Sequence, residues 1–221
     1  MREINIKVYS FDELSPDIQE VVIEANRRII IGYNDWYHDT LDYWKERLEK
    51  MGFMNPSIYF SGFYNQGDGA SFTADCDSNL IIDTMVQCVG HGYGWEYEKV
   101  RLWLELTDKS IIYFDTKRID HRYSHKKSVQ YGVFEDFSGL NERMWKIRDD
   151  KSISNLTSIF EKKCDIVNLD NYFEYFCHSI CDKIYEDLRD ECEYLESDTA
   201  IREHFEASDH EFFEDGTISE L

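Results

Sequence analysis

The chain has 221 residues, 42% hydrophobic and 15% aromatic, and sets 45 Asp and Glu against 24 Lys and Arg for a net charge of −21. Rings at that density exclude a disordered chain in spite of the charge, and the length supports a buried core without disulfide or metal staples. The longest apolar run, Val21 to Ile31, is interrupted by Glu24, Asn26, Arg27 and Arg28, which excludes it as one of the roughly 20-residue apolar helices that cross membranes.

In chain order, the alternating INIKVYSF reads as a short strand or extended lead. Ser15 and Pro16 suit the N-cap and first turn of a helix whose apolar residues Ile18, Val21, Val22, Ala25 and Ile29 recur at helical spacing. A second helix is predicted from about Asp35 to Met51, with Trp36, Tyr37, Leu41, Trp44 and Leu48 as its apolar stripe and Gly52 as its C-cap. SIYFSGFY, NQGDG and ASFTADC then give a hairpin signal, β-branched and aromatic residues on both sides of a glycine-containing turn. Asn79 to Val89 suits a short helix, HGYGWEYE a loop, and VRLWLEL, SIIYFDT and SVQYGVF three further strands. Phe137 to Lys151 is a connector and Ile153 to Lys163 helical. A long helix follows from about Leu169 to Glu196, and Ser197 or Asp198 caps a last one to about Ala207. EFFEDGTISEL, with two Phe and a DG turn, is expected to fold back. No Ser- or Gly-rich linker divides the chain. The expected architecture is a single α+β domain over 1–221: an N-terminal helical part (11–52), an antiparallel sheet of about five strands (57–134) and a C-terminal acidic helical part (153–207).

Familiar catalytic signatures are missing. No GxSxG, HExxH, paired CxxC or Gly-rich dinucleotide fingerprint occurs, so no catalytic residue is assigned and a non-enzymatic protein is expected. Cys177, Cys181 and Cys192 fall on the stripe Phe173, Phe176, Ile180, Ile184, Leu188 and Leu195, where they read as small core residues. His178 is adjacent to Cys177 on that helix and points about 100° away, which excludes a thiol–imidazole pair. The scattered cysteines and the absence of an apolar leader in MREINIKVYS point to a reducing cytoplasm.

Charge is unevenly spread. Asp165 to Leu221 carries 18 acids against 3 bases, whereas KRIDHRYSHKK (117–127) packs five bases and two His around one Asp. Eight acids, Asp182, Glu186, Asp187, Asp190, Glu191, Glu193, Glu196 and Asp198, occupy 17 residues of predicted helix. At 1.5 Å per residue that is about one carboxylate per 3 Å, close to the phosphate spacing of one DNA strand. These eight are the candidate partner-binding residues. The alternative is a small-molecule or nucleotide-binding protein, or an enzyme, with a pocket of Gln66, Asp68, His91, Tyr93, Trp95, His121 and His125, drawn from the polar QGDG tip, the glycine-aromatic loop and the basic stretch. A metal site at His121 and His125 is disfavoured, because on a strand the two stand about 13 Å apart and in a turn the surrounding Lys and Arg repel a cation. No cofactor is implied. Direct nucleic-acid contact through Lys117, Arg118, Arg122, Lys126 and Lys127 is disfavoured by the net charge.

The combination IYFSGFYNQGDGASF, IDHRYSH and ECEYLESDTAIREHFEASDHEFFEDG resembles a group of small acidic proteins encoded by bacteriophages and prophages. In that group an SGFxxQGDGASF element precedes a C-terminal helical pair and an EDG ending, and the similarity runs from about Phe11 to Gly216. The resemblance implies a phage accessory protein in the host cytoplasm that inhibits a host or anti-phage defence protein by occupying its basic surface, its acidic face imitating nucleic acid.

Overall fold

The computed structural model describes residues 7–32, 35–88, 112–135 and 166–219. The chain is α+β, and these residues form five helices and two antiparallel two-stranded sheets. It divides into two compact units, unit 1 comprising Met1–Thr40 with Asp187–Leu221 and unit 2 comprising Leu41–Glu186.

Unit 1 begins with a 3-10 turn, Phe11–Glu13, closed by a capping box in which Glu13 accepts from the Ser10 N–H. Helix α1 (Pro16–Ala25) starts with proline in its first turn, as the sequence predicts. Its Val22 and Ile23 join Phe11, Leu14, Ile201, Phe205 and Phe212 in one buried cluster, with Phe11 stacked on Phe205 at 5.5 Å between ring centroids. The chain's last segment does fold back: Tyr9 and Phe212 exchange backbone hydrogen bonds of 2.8 Å each, and Phe212 bridges onward to Ile218. Gln19 donates to the carbonyls of Phe11 and Leu14 and accepts from Arg202, tying the entry turn to the C-terminal helix.

Unit 2 holds most of α2 (His38–Lys50), the hairpin β1 (Phe53–Phe60) and β2 (Ala70–Cys76), helix α3 (Ser78–Cys88), the hairpin β3 (Ile112–Arg118) and β4 (Val129–Glu135), and the larger part of α4 (Ile166–Leu195), whose last turns belong to unit 1. The final helix α5 (Asp198–Ala207) lies in unit 1, N-capped by the Ser197 hydroxyl. Phe53, Phe72, Phe114 and Phe173 form the aromatic centre of unit 2, Phe114 and Phe173 being 4.5 Å apart and Phe53 and Phe72 5.0 Å. Burying rings of this size is the main stabilising contribution.

The single sheet of about five strands is not what forms. Two separate hairpins stand in its place, and the reason lies at one edge of β2. There the Thr116 hydroxyl accepts from the Ala74 N–H (2.7 Å) and donates to the Ala74 carbonyl (3.0 Å). The Tyr131 hydroxyl does the same at Phe72, accepting at 3.3 Å and donating at 3.1 Å. Thr116 and Tyr131 are direct cross-strand partners on β3 and β4. Two inward-facing hydroxyls, fixed side by side, therefore satisfy the backbone groups that another strand would have paired. The predicted strand VRLWLEL, the loop HGYGWEYE, the connector 137–151 and the helix 153–163 lie outside the described residues.

Candidate functional site

Six of the eight carboxylates on α4 and at the start of α5 are matched by the chain's own bases. Asp182 binds Lys126 (2.6 Å), Glu186 faces Lys183 (3.4 Å), and Asp190 and Glu193 share Arg189 (3.6 Å each). Glu196 faces Arg28 (3.4 Å) and Asp198 binds Arg27 (2.7 Å). Hydrogen bonds that Arg27 donates to Glu24 and to Asp198 raise its pKa above its ordinary value. Glu191 and Asp187 are half-buried. The face presented by these eight residues is thus a mosaic of both signs rather than a row of bare carboxylates. Exposed pairs of this kind contribute about 0–1 kcal/mol each, but they cancel most of the field a basic partner would sense.

The uncompensated charge lies further on. Glu203 and Glu206 on α5, with Asp209, Glu211 and Glu214 after it, are all exposed and form no ion pair among the described residues. Unit 1 as a whole has 21 acids against 6 bases, a net −15, while unit 2 has 24 against 18, a net −6.

In unit 2 the QGDG turn and the β3–β4 connection meet. A Cβ on Gly69 would lie 2.8 Å from Cα of His125, and one on Gly67 3.3 Å from Cδ1 of Tyr123. Asp68 is spent within its own loop, its Oδ2 accepting from the N–H groups of Tyr64 (3.0 Å) and Asn65 (2.7 Å). Tyr185 on α4 closes the loop from another side by donating to the Gly62 carbonyl. His125 Nδ1 accepts from the Lys127 N–H and caps the 3-10 turn Lys126–Ser128. Gln66 and His121 are exposed. His91, Tyr93 and Trp95 lie outside the described residues; of the other four, the structure brings the turn that carries Gln66 and Asp68 against His125, through Gly69. No group of three or more His, Cys, Asp or Glu suited to a metal ion occurs among the described residues.

The basic stretch is organised rather than free. Arg118 stacks over the Tyr59 ring (3.9 Å to its centroid) and donates to the carbonyls of Asp120 and Tyr123. Arg122 makes a bidentate pair with Asp120, whose pKa falls below the usual carboxylate range chiefly through that side-chain hydrogen bond. Lys117 and Lys127 are exposed and form no ion pair among the described residues.

Among the described residues, one buried polar network centres on Tyr131. Tyr131 has a single proton, directed at the Phe72 carbonyl, so its hydroxyl accepts from the Cys181 thiol at 3.2 Å. Burial pushes the Cys181 pKa up to about 12 and that of Cys177 well above the ordinary thiol value, and it raises the Tyr131 phenol too. Cys76, half-buried, is pushed up to about 12, first by burial. Cys177 and Cys181 are inert core thiols, not nucleophiles. The sequence reading passed over Tyr64 and Tyr123, exposed rings beside the QGDG turn, and Arg27 and Arg28, the bases that neutralise the end of the α4 face. The tyrosines' signal was their position beside turn residues, where a ring has no core to enter.

Elements and topology together define an α+β protein built, among the described residues, on two antiparallel hairpins and five helices. Residues 36–198 match the family described as a domain of unknown function, DUF8835. The chain belongs to that family. No curated protein and no solved structure matches it. Among the described residues no helix is long and apolar enough to cross a membrane.

Proposed function

We propose that the chain is a non-enzymatic phage accessory protein that inhibits a host or anti-phage defence protein in the host cytoplasm by binding its basic surface. The contact is placed on α5 and the following tail, through Glu203, Glu206, Asp209, Glu211 and Glu214. The observation that carries this reading is the −15 net charge of unit 1, with these five carboxylates exposed and unmatched by bases among the described residues. The resemblance to acidic phage proteins supplies the class of host. Such a surface speeds association with a basic partner by long-range steering, and that advantage shrinks as salt rises. The α4 face is assigned a smaller share, because Lys126, Lys183, Arg189, Arg28 and Arg27 already occupy it.

The test is affinity capture from a bacterial host lysate at low and high salt, with the wild-type chain and two variants. Glu203, Glu206, Glu211 and Glu214 reversed to Lys should lose the captured protein, while Glu186, Asp190 and Glu193 reversed to Lys should retain most of it. The opposite ranking would return the contact to α4, and equal capture by all three chains would remove electrostatic docking altogether.

A further inference from the structure

Around the β3–β4 connection, the surface of unit 2 has a character opposite to that of unit 1. Lys117, Arg118, Arg122, Lys126 and Lys127 outnumber Asp68, Asp115, Asp120 and Asp182 there by one, in a chain of net charge −21. We propose that this surface binds single-stranded nucleic acid, with Lys117, Arg122 and Lys127 meeting phosphates and Tyr64 and Tyr123 meeting bases. Arg118 and Lys126 are held back for structure, the first under the connection and the second on Asp182. The three remaining cations face solvent, Arg122 with 81% of its side chain exposed in spite of its pair with Asp120. Tyr64 is 72% exposed and Tyr123 45%.

Ring and charge adjoin at Tyr123. Tyr123 lies against Gly67 of the QGDG turn, stacks on His125 at 5.6 Å and has the Arg122 guanidinium 5.6 Å from its centroid. Tyr64 begins the same turn, its N–H held by Asp68. Solvent-facing tyrosines edged by cations are the recognition chemistry of unpaired bases, since every base offers a face to stack and the backbone between bases offers a charge. A duplex hides those faces, and three cations are few for a double helix. An acidic peptide would use the cations and leave the rings idle. The net charge of the whole chain opposes binding, but salt at about 0.1 M screens charges beyond roughly 10 Å, so contacts at the surface itself decide.

The test is fluorescence anisotropy of a labelled oligothymidylate of about twelve nucleotides, with a duplex of equal length, thymidine monophosphate and a polyglutamate peptide as competitors. Three phosphate contacts predict that log K falls with log salt at a slope of about −2, roughly a 20-fold loss between about 50 and 200 mM. Lys117→Glu with Lys127→Glu should remove binding, and circular dichroism should be unchanged, because both side chains are exposed. Tyr64→Ala and Tyr123→Ala should each weaken binding roughly tenfold at unchanged slope. Competition by the monophosphate only at far higher concentration than by the strand supports the proposal. It is overturned by any of four results: no binding at the lowest salt, polyglutamate or duplex competing as well as the strand, monophosphate competing equally, or tyrosine variants with wild-type affinity.

Discussion

The SGFYNQGDG turn contains three glycines whose surroundings differ enough to be ranked. Alanine at Gly62 would place its Cβ 3.4 Å from Asp68 Oδ2, an ordinary contact at an exposed position. Gly67 has φ +100°, outside the range a side chain adopts readily, so alanine there costs about 1–2 kcal/mol of backbone strain before its 3.3 Å approach to Tyr123 is counted. Gly69 needs no unusual φ, but its alanine Cβ would sit 2.8 Å from Cα and Cβ of His125, roughly 1 Å inside normal carbon contact. Those atoms cannot rotate away, and His125 anchors the turn that carries Lys127, so overpacking here costs about 1–3 kcal/mol. Urea unfolding of the three variants should therefore give midpoints near wild type for Gly62→Ala and clearly lower for Gly67→Ala and Gly69→Ala, with unchanged slopes. Gly69→Ala alone should also displace the His125 and Lys127 signals in an NMR spectrum. If Gly62→Ala falls as far as Gly69→Ala, the close approach of turn and connection is not what the glycines serve, and the surface built on it fails.

Further outcomes follow from the same geometry. Tyr131→Phe leaves the Phe72 N–H and carbonyl without their buried partner and should cost about 2–4 kcal/mol, measured by urea denaturation. A loss below about 0.5 kcal/mol would mean that water replaces the hydroxyl. His178 and His204 both have pKa values lowered from 6.5 first by burial, opposed at His178 by Glu174 and reinforced at His204 by His210. The unfolded chain then binds more protons near that pH, so their contribution is fully present above about 6.5 and is lost as pH falls toward the folded values. Melting temperature should decline between about pH 7 and pH 5, and Phe at both positions should flatten the decline. Cys177 and Cys181, with raised pKa values and buried sulfurs, should resist iodoacetamide at neutral pH and react only on unfolding, as peptide mass spectrometry will show.

Local signals carried the helices and hairpins into the sequence reading. The periodic stripe of α4 and the glycine turn between β1 and β2 come from spacing and turn chemistry that neighbours in sequence determine. How the hairpins join is not local. Thr116 and Tyr131 look like ordinary alternating strand residues, and only the pairing of β3 with β4 sets their hydroxyls side by side on Phe72 and Ala74. The hint was a hydroxyl beside apolar residues on each strand, Thr116 next to Phe114 and Tyr131 between Val129 and Val133. The ion pairs along the α4 face are hidden for the same reason: the base that meets Asp198 stands 171 residues away at Arg27, beyond any reading of charge along one helix. Asp68 shows a third kind of limit, because a carboxylate between glycines suits a ligand and suits its own loop equally well until its hydrogen bonds are seen.

The family match and the division of charge lead to one last separation. Residues 36–198 take in all of unit 2 but only 36–40 and 187–198 of unit 1. The buried cluster that holds unit 1 together, Phe11, Leu14, Val22, Ile23, Ile201, Phe205 and Phe212, lies wholly outside that span, and so do Glu203, Glu206, Asp209, Glu211 and Glu214. Tyr64, Lys117, Arg122, Tyr123 and Lys127 lie inside it. A property shared across the family would reside in unit 2, whereas capture of a basic partner would depend on flanks that the family match does not include. Two sets of charge reversals separate these roles in the intact chain. Lys at Glu203, Glu206, Glu211 and Glu214 should abolish partner capture and leave nucleic-acid binding in place or stronger. Glu at Lys117 and Lys127 should do the reverse. Loss of both activities from either set would mean that one surface serves both, and the division between the units would carry no functional meaning.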